Sequence, residues 1–197
     1  MSLSNLSINW FDFAAILTVL VGVKLGNTRG MSKEFLHFVQ WGVMVVVAGI
    51  AYLIPGELIS NFAGLGRTLA NVLGYLLVLG VVKLIFIYLN NRLGEKIESR
   101  HMFGSLEYYL GTVAGGVRFA CIVLVVLSLL HVEKQPEAER QREIKYQVDN
   151  YGSVYFPTLG LVNNEIFGKS LSGRWIDENL SFLLLPPTQP VKKSAKL

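Results

Sequence analysis

The chain has one cysteine in 197 residues, Cys121, so no intrachain disulfide can form and nothing marks an oxidising compartment. It lies inside an apolar run, where a thiol serves as a small packing group. No lysine or arginine precedes Lys24, so the first apolar run lacks the positive flank of a secretory signal peptide and is expected to stay as a span. The three histidines, His37, His101 and His131, share no metal-ligand spacing with one another or with the cysteine. A phosphate loop, a zinc-protease helix and a nucleophile elbow are all missing. These absences predict no catalytic residues, no metal and no cofactor, and hence a protein that is not an enzyme. Charged residues are only 16% of the chain, and the net charge of +4 is scattered over helix ends and the tail, which disfavours nucleic acid as a partner.

Long apolar runs fill the space that charge leaves. Residues 10–25, 35–54, 69–89 and 110–130 each approach the roughly 17 to 25 residues that cross about 30 Å of hydrocarbon as a helix. With a mean hydropathy of +0.45, they predict an all-α integral membrane protein. Its parts are a four-helix transmembrane domain over 1–131 (spans about 10–28, 33–54, 69–90 and 108–131), an appendage over 132–185 and a disordered tail over 186–197. Residues 26–30 read as a tight connection, and Pro55-Gly56 as the end of span two. Leu58, Ile59, Phe62 and Leu65 at helical spacing suit either a short interfacial helix or a loop. Residues 90–105 read as a solvated connection. Residues 132–147 carry four acidic and four basic side chains and read as a polar helix starting near Pro136. The short apolar pieces that follow suit a small folded unit or a segment packed on the membrane domain.

Lys24, Arg29 and Lys33 flank the first connection, and Arg92, Lys96 and Arg100 fill the third. The retention of positive charge on the cytoplasmic side then places both termini outside the cytoplasm.

Glycine recurs at membrane-packing spacing, at Gly22, Gly26 and Gly30 and again at Gly111 and Gly115. Helix packing within the monomer accounts for it, with association between subunits as the alternative. Arg118 shares the face of Gly111 and Gly115 about two turns into span four, where an unpaired charge is costly. It needs headgroups, an anion or an aqueous path. Glu34, His37 and Trp41 share a face at the start of span two with Gln40 alongside, and Glu34 is the depth-matched partner. An alternative lines a small channel or transporter vestibule with Glu34, His37, Gln40 and Arg118. Asp12, in the first turn of span one, is expected to complement the helix dipole.

Trp10-Phe11-Asp12 opens the first span, Arg29-Gly30 with Glu34 marks the turn into the second, and Trp41 follows seven residues on. The fourth opens with Gly111-Thr112-Val113-Ala114-Gly115-Gly116-Val117-Arg118. In this order and placement, over residues 8–131, the chain resembles the colicin V production protein family. Phe119 stands where that family often has a small residue, and Glu107 where it has an acidic one. The resemblance implies a multi-pass protein of the bacterial inner membrane, associated with toxin (bacteriocin) production or export and with cell-envelope homeostasis. It marks Asp12, Arg29, Gly30, Glu34, Gly111, Gly115 and Arg118 as characteristic positions without assigning any of them a reaction. The partners expected are the lipid bilayer, other envelope proteins, and the chain itself as a homo-oligomer.

Overall fold

Backbone amides in lipid find no water, so each apolar run must satisfy its own hydrogen bonds as a helix. The computed structural model describes residues 8–65, 67–98, 103–132 and 162–186, with a few helical residues between 141 and 149. It contains α1 (Trp10–Arg29), α2 (Met31–Ala51), α3 (Leu53–Ala63), α4 (Arg67–Glu98), α5 (Glu107–His131) and α6 (Leu171–Leu180). Of these, α1, α2, α4 and α5 supply four segments long and apolar enough to cross a membrane. The protein is an all-α, multi-pass membrane protein.

The element boundaries have local causes. Asn9 caps α1 in a reciprocal box: its side chain accepts from the Trp10 amide at 2.7 Å, and its own amide donates to the Asp12 carboxylate at 2.8 Å. The connection between α1 and α2 shrinks from the five residues expected to one, Gly30, because the helix runs on through Asn27, Thr28 and Arg29. Gly30 has φ 77°, a left-handed value, and its amide bonds back to the Gly26 carbonyl at 2.9 Å. The second span closes at Ala51, before Pro55-Gly56. Proline has no N–H to return to the Ala51 carbonyl, so the chain breaks at Tyr52 and Pro55 falls within the first turn of α3. The segment that suited a helix or a loop is this helix. α4 continues to Glu98, well past the expected limit near residue 90, and its 32 residues extend about 48 Å at 1.5 Å per residue.

The spans form a row. α1 packs on α5, α5 on α2, and α2 on α4, while α3 folds back along α4. The α1–α5 contact is made by backbone: a Cβ on Gly26 would strike the Gly111 carbonyl, and one on Gly115 would strike the Gly22 carbonyl. Such close approach is how helices gain dispersion contact where lipid removes any hydrophobic drive to associate. Gly74 does the same for α3, since a Cβ there would lie 2.7 Å from the Tyr52 carbonyl oxygen and the Gly56 nitrogen. Met44, Ala48, Tyr52, Tyr75, Leu79 and Val82 fill the space between α2 and α4. Phe13, Leu17 and Leu20 on α1 and Leu84 and Ile85 on α4 face outward, as lipid contact requires.

Residues 162–186 pack on the end of the row that carries the start of α1 and the end of α5. Ile166, Phe167 and Leu184 form one apolar cluster with Phe11 and Leu127. The Asn163 amide donates to the Leu130 carbonyl at 2.6 Å, and the Leu185 amide donates to Ser128 Oγ at 3.0 Å. Of the two alternatives for the appendage, this part is a segment docked on the membrane helices. The polar helix expected from Pro136 and the tail beyond Pro186 fall outside the described residues, apart from the few between 141 and 149.

The α1–α5 contact generates a steric prediction. Gly115→Leu should abolish folded, monodisperse protein in detergent. Gly80→Leu, at a position where a Cβ would meet nothing within 4 Å, should change unfolding stability by no more than about 0.5 kcal/mol. Equal losses for the two, read by size-exclusion chromatography and thermal unfolding, would remove the special status of this contact.

Candidate functional site at the junction of α1, α2 and α5

The turn at Gly30 and the glycine contact bring three helix ends together, and Arg29, Glu34, Glu107 and Arg118 collect there. Glu34, one turn into α2, is fully buried. Arg118 Nη1 donates to Glu34 Oε2 at 2.6 Å, and Arg29 Nη1 donates to Glu34 Oε1 at 3.2 Å. One carboxylate thus receives a buried guanidinium from α5 and a half-exposed one from the end of α1. The pair chosen from the sequence by depth is present in the structure, and Arg118 does not reach out to headgroups; its side chain is only 8% exposed. Arg118 also lies over the Phe119 ring, 4.9 Å from its centroid. Phe119 packs directly on Gly22, so the large side chain is accommodated by the absence of one opposite.

A second carboxylate closes the junction. Glu107, at the start of α5, accepts from the Ser32 amide at 2.6 Å and from Ser32 Oγ at 2.9 Å. This satisfies an amide of the first turn of α2 that has no partner within its own helix, and it sets a negative charge at the positive end of the helix dipole. Gly30 is required here a second time, because a Cβ would lie 2.8 Å from Glu107 Oε1.

Asp12 lies at the far end of α1 and does more than complement its own helix. Its carboxylate accepts from the amides of Leu171 and Ser172 at 3.3 and 2.8 Å and from the Ser172 hydroxyl, so it caps α6 as well as α1. At the same end His131 joins α5 to the C-terminal segment. Nδ1 lies 2.6 Å from the Leu185 carbonyl oxygen and Nε2 lies 3.0 Å from Asp177 Oδ1, so one ring faces both the backbone and a side chain of that segment. Nothing in the sequence pattern pointed to His131 or Asp177, since 46 residues separate them.

The vestibule lining is not assembled. Glu34 and Arg118 are sealed between α2 and α5, whereas His37 and Gln40 border a different space, between α2 and α4. That space is also bordered by Lys83, a charge inside the third apolar run that the run's hydropathy masks. Gly22, Gly26, Gly111 and Gly115 serve the α1–α5 contact described above. Among the described residues no group of three or more His, Cys, Asp or Glu side chains is placed to hold a metal ion. The junction's chemistry is charge pairing and helix capping.

A sequence model of the family described as "Colicin V production protein" matches residues 11–147. No curated protein and no solved structure matches the chain.

Removing one member of a buried ion pair leaves the other charge desolvated, whereas removing both also removes the obligation to pair. Arg118→Met and Glu34→Gln should therefore each destabilise the protein by about 3–5 kcal/mol, and the double variant should recover about 1–3 kcal/mol as coupling in a double-mutant cycle. Arg29→Ala, at the half-exposed partner, should cost less than either. Strict additivity of the Arg118 and Glu34 effects in detergent unfolding would sink the pairing.

Proposed function

The chain belongs to the colicin V production protein family, and from that membership we propose that it is a non-enzymatic protein of the bacterial inner membrane that supports toxin production or export and cell-envelope homeostasis. The observation that carries the non-enzymatic reading is the use made of the buried charges. Asp12, Glu34, Glu107 and Arg118 are each engaged in joining one helix to another. Acid and base catalysis needs such groups turned toward a substrate, not toward each other. In this reading the docked C-terminal segment is the platform that meets other envelope proteins, or a second copy, outside the cytoplasm. The orientation rests on the basic residues Lys24, Arg29 and Lys33 at the opposite end.

In a bacterium with a colicin V-type toxin operon and no copy of this protein, the inhibition halo on a sensitive lawn should shrink and uptake of a membrane-impermeant dye should rise. Plasmid-borne wild type should restore both. A deletion strain with unchanged halo and dye exclusion overturns the role. Ion or solute flux through purified protein in liposomes, above that of empty vesicles, would replace it with the channel reading. For orientation, in a Cys121→Ser background, Glu178→Cys should react with a membrane-impermeant thiol reagent on intact cells and Thr28→Cys should not. The reverse pattern inverts the topology.

A further inference from the structure

The charges at the α1, α2 and α5 junction have protein partners. Lys83 has none: among the described residues it makes no ion pair and no hydrogen bond. It lies in the α4 apolar segment, which runs from Leu69 to Leu93, ten residues and about 15 Å from the Leu93 end. An ionised side chain at that depth marks a functional site unless something neutralises it.

What surrounds Lys83 indicates the chemistry of the missing partner. It borders a cavity of about 330 Å³ between α2 and α4, together with His37, Gln40 and Trp41 of α2 and Asn90 of α4. Among the described residues no carboxylate borders this space. Around Lys83 several N–H donors go unused, as do the amide oxygens of Gln40 and Asn90. The Gln40 amide nitrogen reaches only the Met44 thioether, at 3.8 Å, a weak acceptor. His37 uses one ring nitrogen, which faces the Lys33 carbonyl at 3.3 Å. Among the described residues the Trp41 indole and the Asn90 amide have no hydrogen-bond partner. A cation and several unused N–H groups in one cleft want an anion with several acceptor oxygens. The depth fits as well: His37 lies six residues, about 9 Å, from the start of α2, and Asn90 three residues, about 4.5 Å, from Leu93. Both positions lie toward one end of their apolar segments, within reach of a long lysine side chain that extends toward a headgroup. Met44 and Phe86 give the cleft apolar walls.

We propose that the cleft between α2 and α4 binds a phosphate group, carried by an anionic lipid headgroup or free in solution, with Lys83 as its counter-ion. Gln40, Trp41 and Asn90 supply neutral donors around it. The site is separate from the Glu34 and Arg118 pair and does not depend on the proposed role in toxin production.

The test uses the full chain in a neutral maltoside detergent, titrated separately with phosphatidylglycerol, diacylglycerol and inorganic phosphate. Binding is read by native mass spectrometry and by thermal unfolding. Phosphatidylglycerol should give retained adducts and a saturable rise in unfolding temperature, with diacylglycerol inert; Lys83→Met should weaken this at least about tenfold and Lys83→Arg should keep it. A Lys83-dependent effect of inorganic phosphate without one of phosphatidylglycerol assigns the same site to the free anion, and competition between the two assigns both to one site. Equal binding by wild type and Lys83→Met, or no saturable effect of either phosphate compound, overturns the proposal. Should Lys83→Met fail to fold, Gln40→Leu and Asn90→Leu carry the same comparison: binding by both at wild-type strength overturns it, and weakened binding supports it.

Discussion

The backbone contact between α1 and α5 is the constraint on which the other features rest. Gly26 and Gly111 approach so closely that neither position has room for a Cβ. This proximity puts the Gly30 turn against Glu107, Glu107 then fixes the first turn of α2 through Ser32, and that turn aims Glu34 at Arg118. A side chain inserted at either glycine would separate the helices, and the carboxylates would lose their partners together. In lipid this matters more than in water, because no hydrophobic force would push the separated helices back.

The carboxylates are used economically. Glu34 serves two arginines and Asp12 serves two helix N-termini, while Glu107 satisfies both the amide and the hydroxyl of one serine. Each would be expensive to bury alone. Buried charges of this kind contribute little net stability, but they penalise every arrangement in which they are unmatched. The helices are thereby held to one rotation each, which packing of smooth apolar surfaces leaves open.

Much of this was legible in the sequence, and the limits have a physical origin. Hydropathy marked the four spans because lipid tolerates no alternative to a helix. Four-residue glycine spacing marked the α1–α5 face, and depth matching paired Glu34 with Arg118. A helical period tells which residues share a face but not which neighbour that face turns toward, so His37 and Gln40 were grouped with Glu34 although the structure turns them to α4. The second role of Asp12 was invisible because Ser172 is 160 residues away. Lys83 was hidden by averaging, since one lysine barely lowers the hydropathy of a 25-residue segment. Chain breaks were misplaced where local chemistry differed from composition: Pro55 ends span two and also sits in the first turn of the next helix, and polar Asn90 and Asn91 continue α4.

The order of the row limits what one copy of the chain can enclose. α1 and α4 sit at opposite edges and make no substantial backbone contact with each other, so the helices line up as staves without closing into a barrel. A water-filled lumen needs a polar wall all round, and the described helices of this row supply one side of such a wall. Any conduit along them takes its facing wall from the rest of the chain or from another molecule.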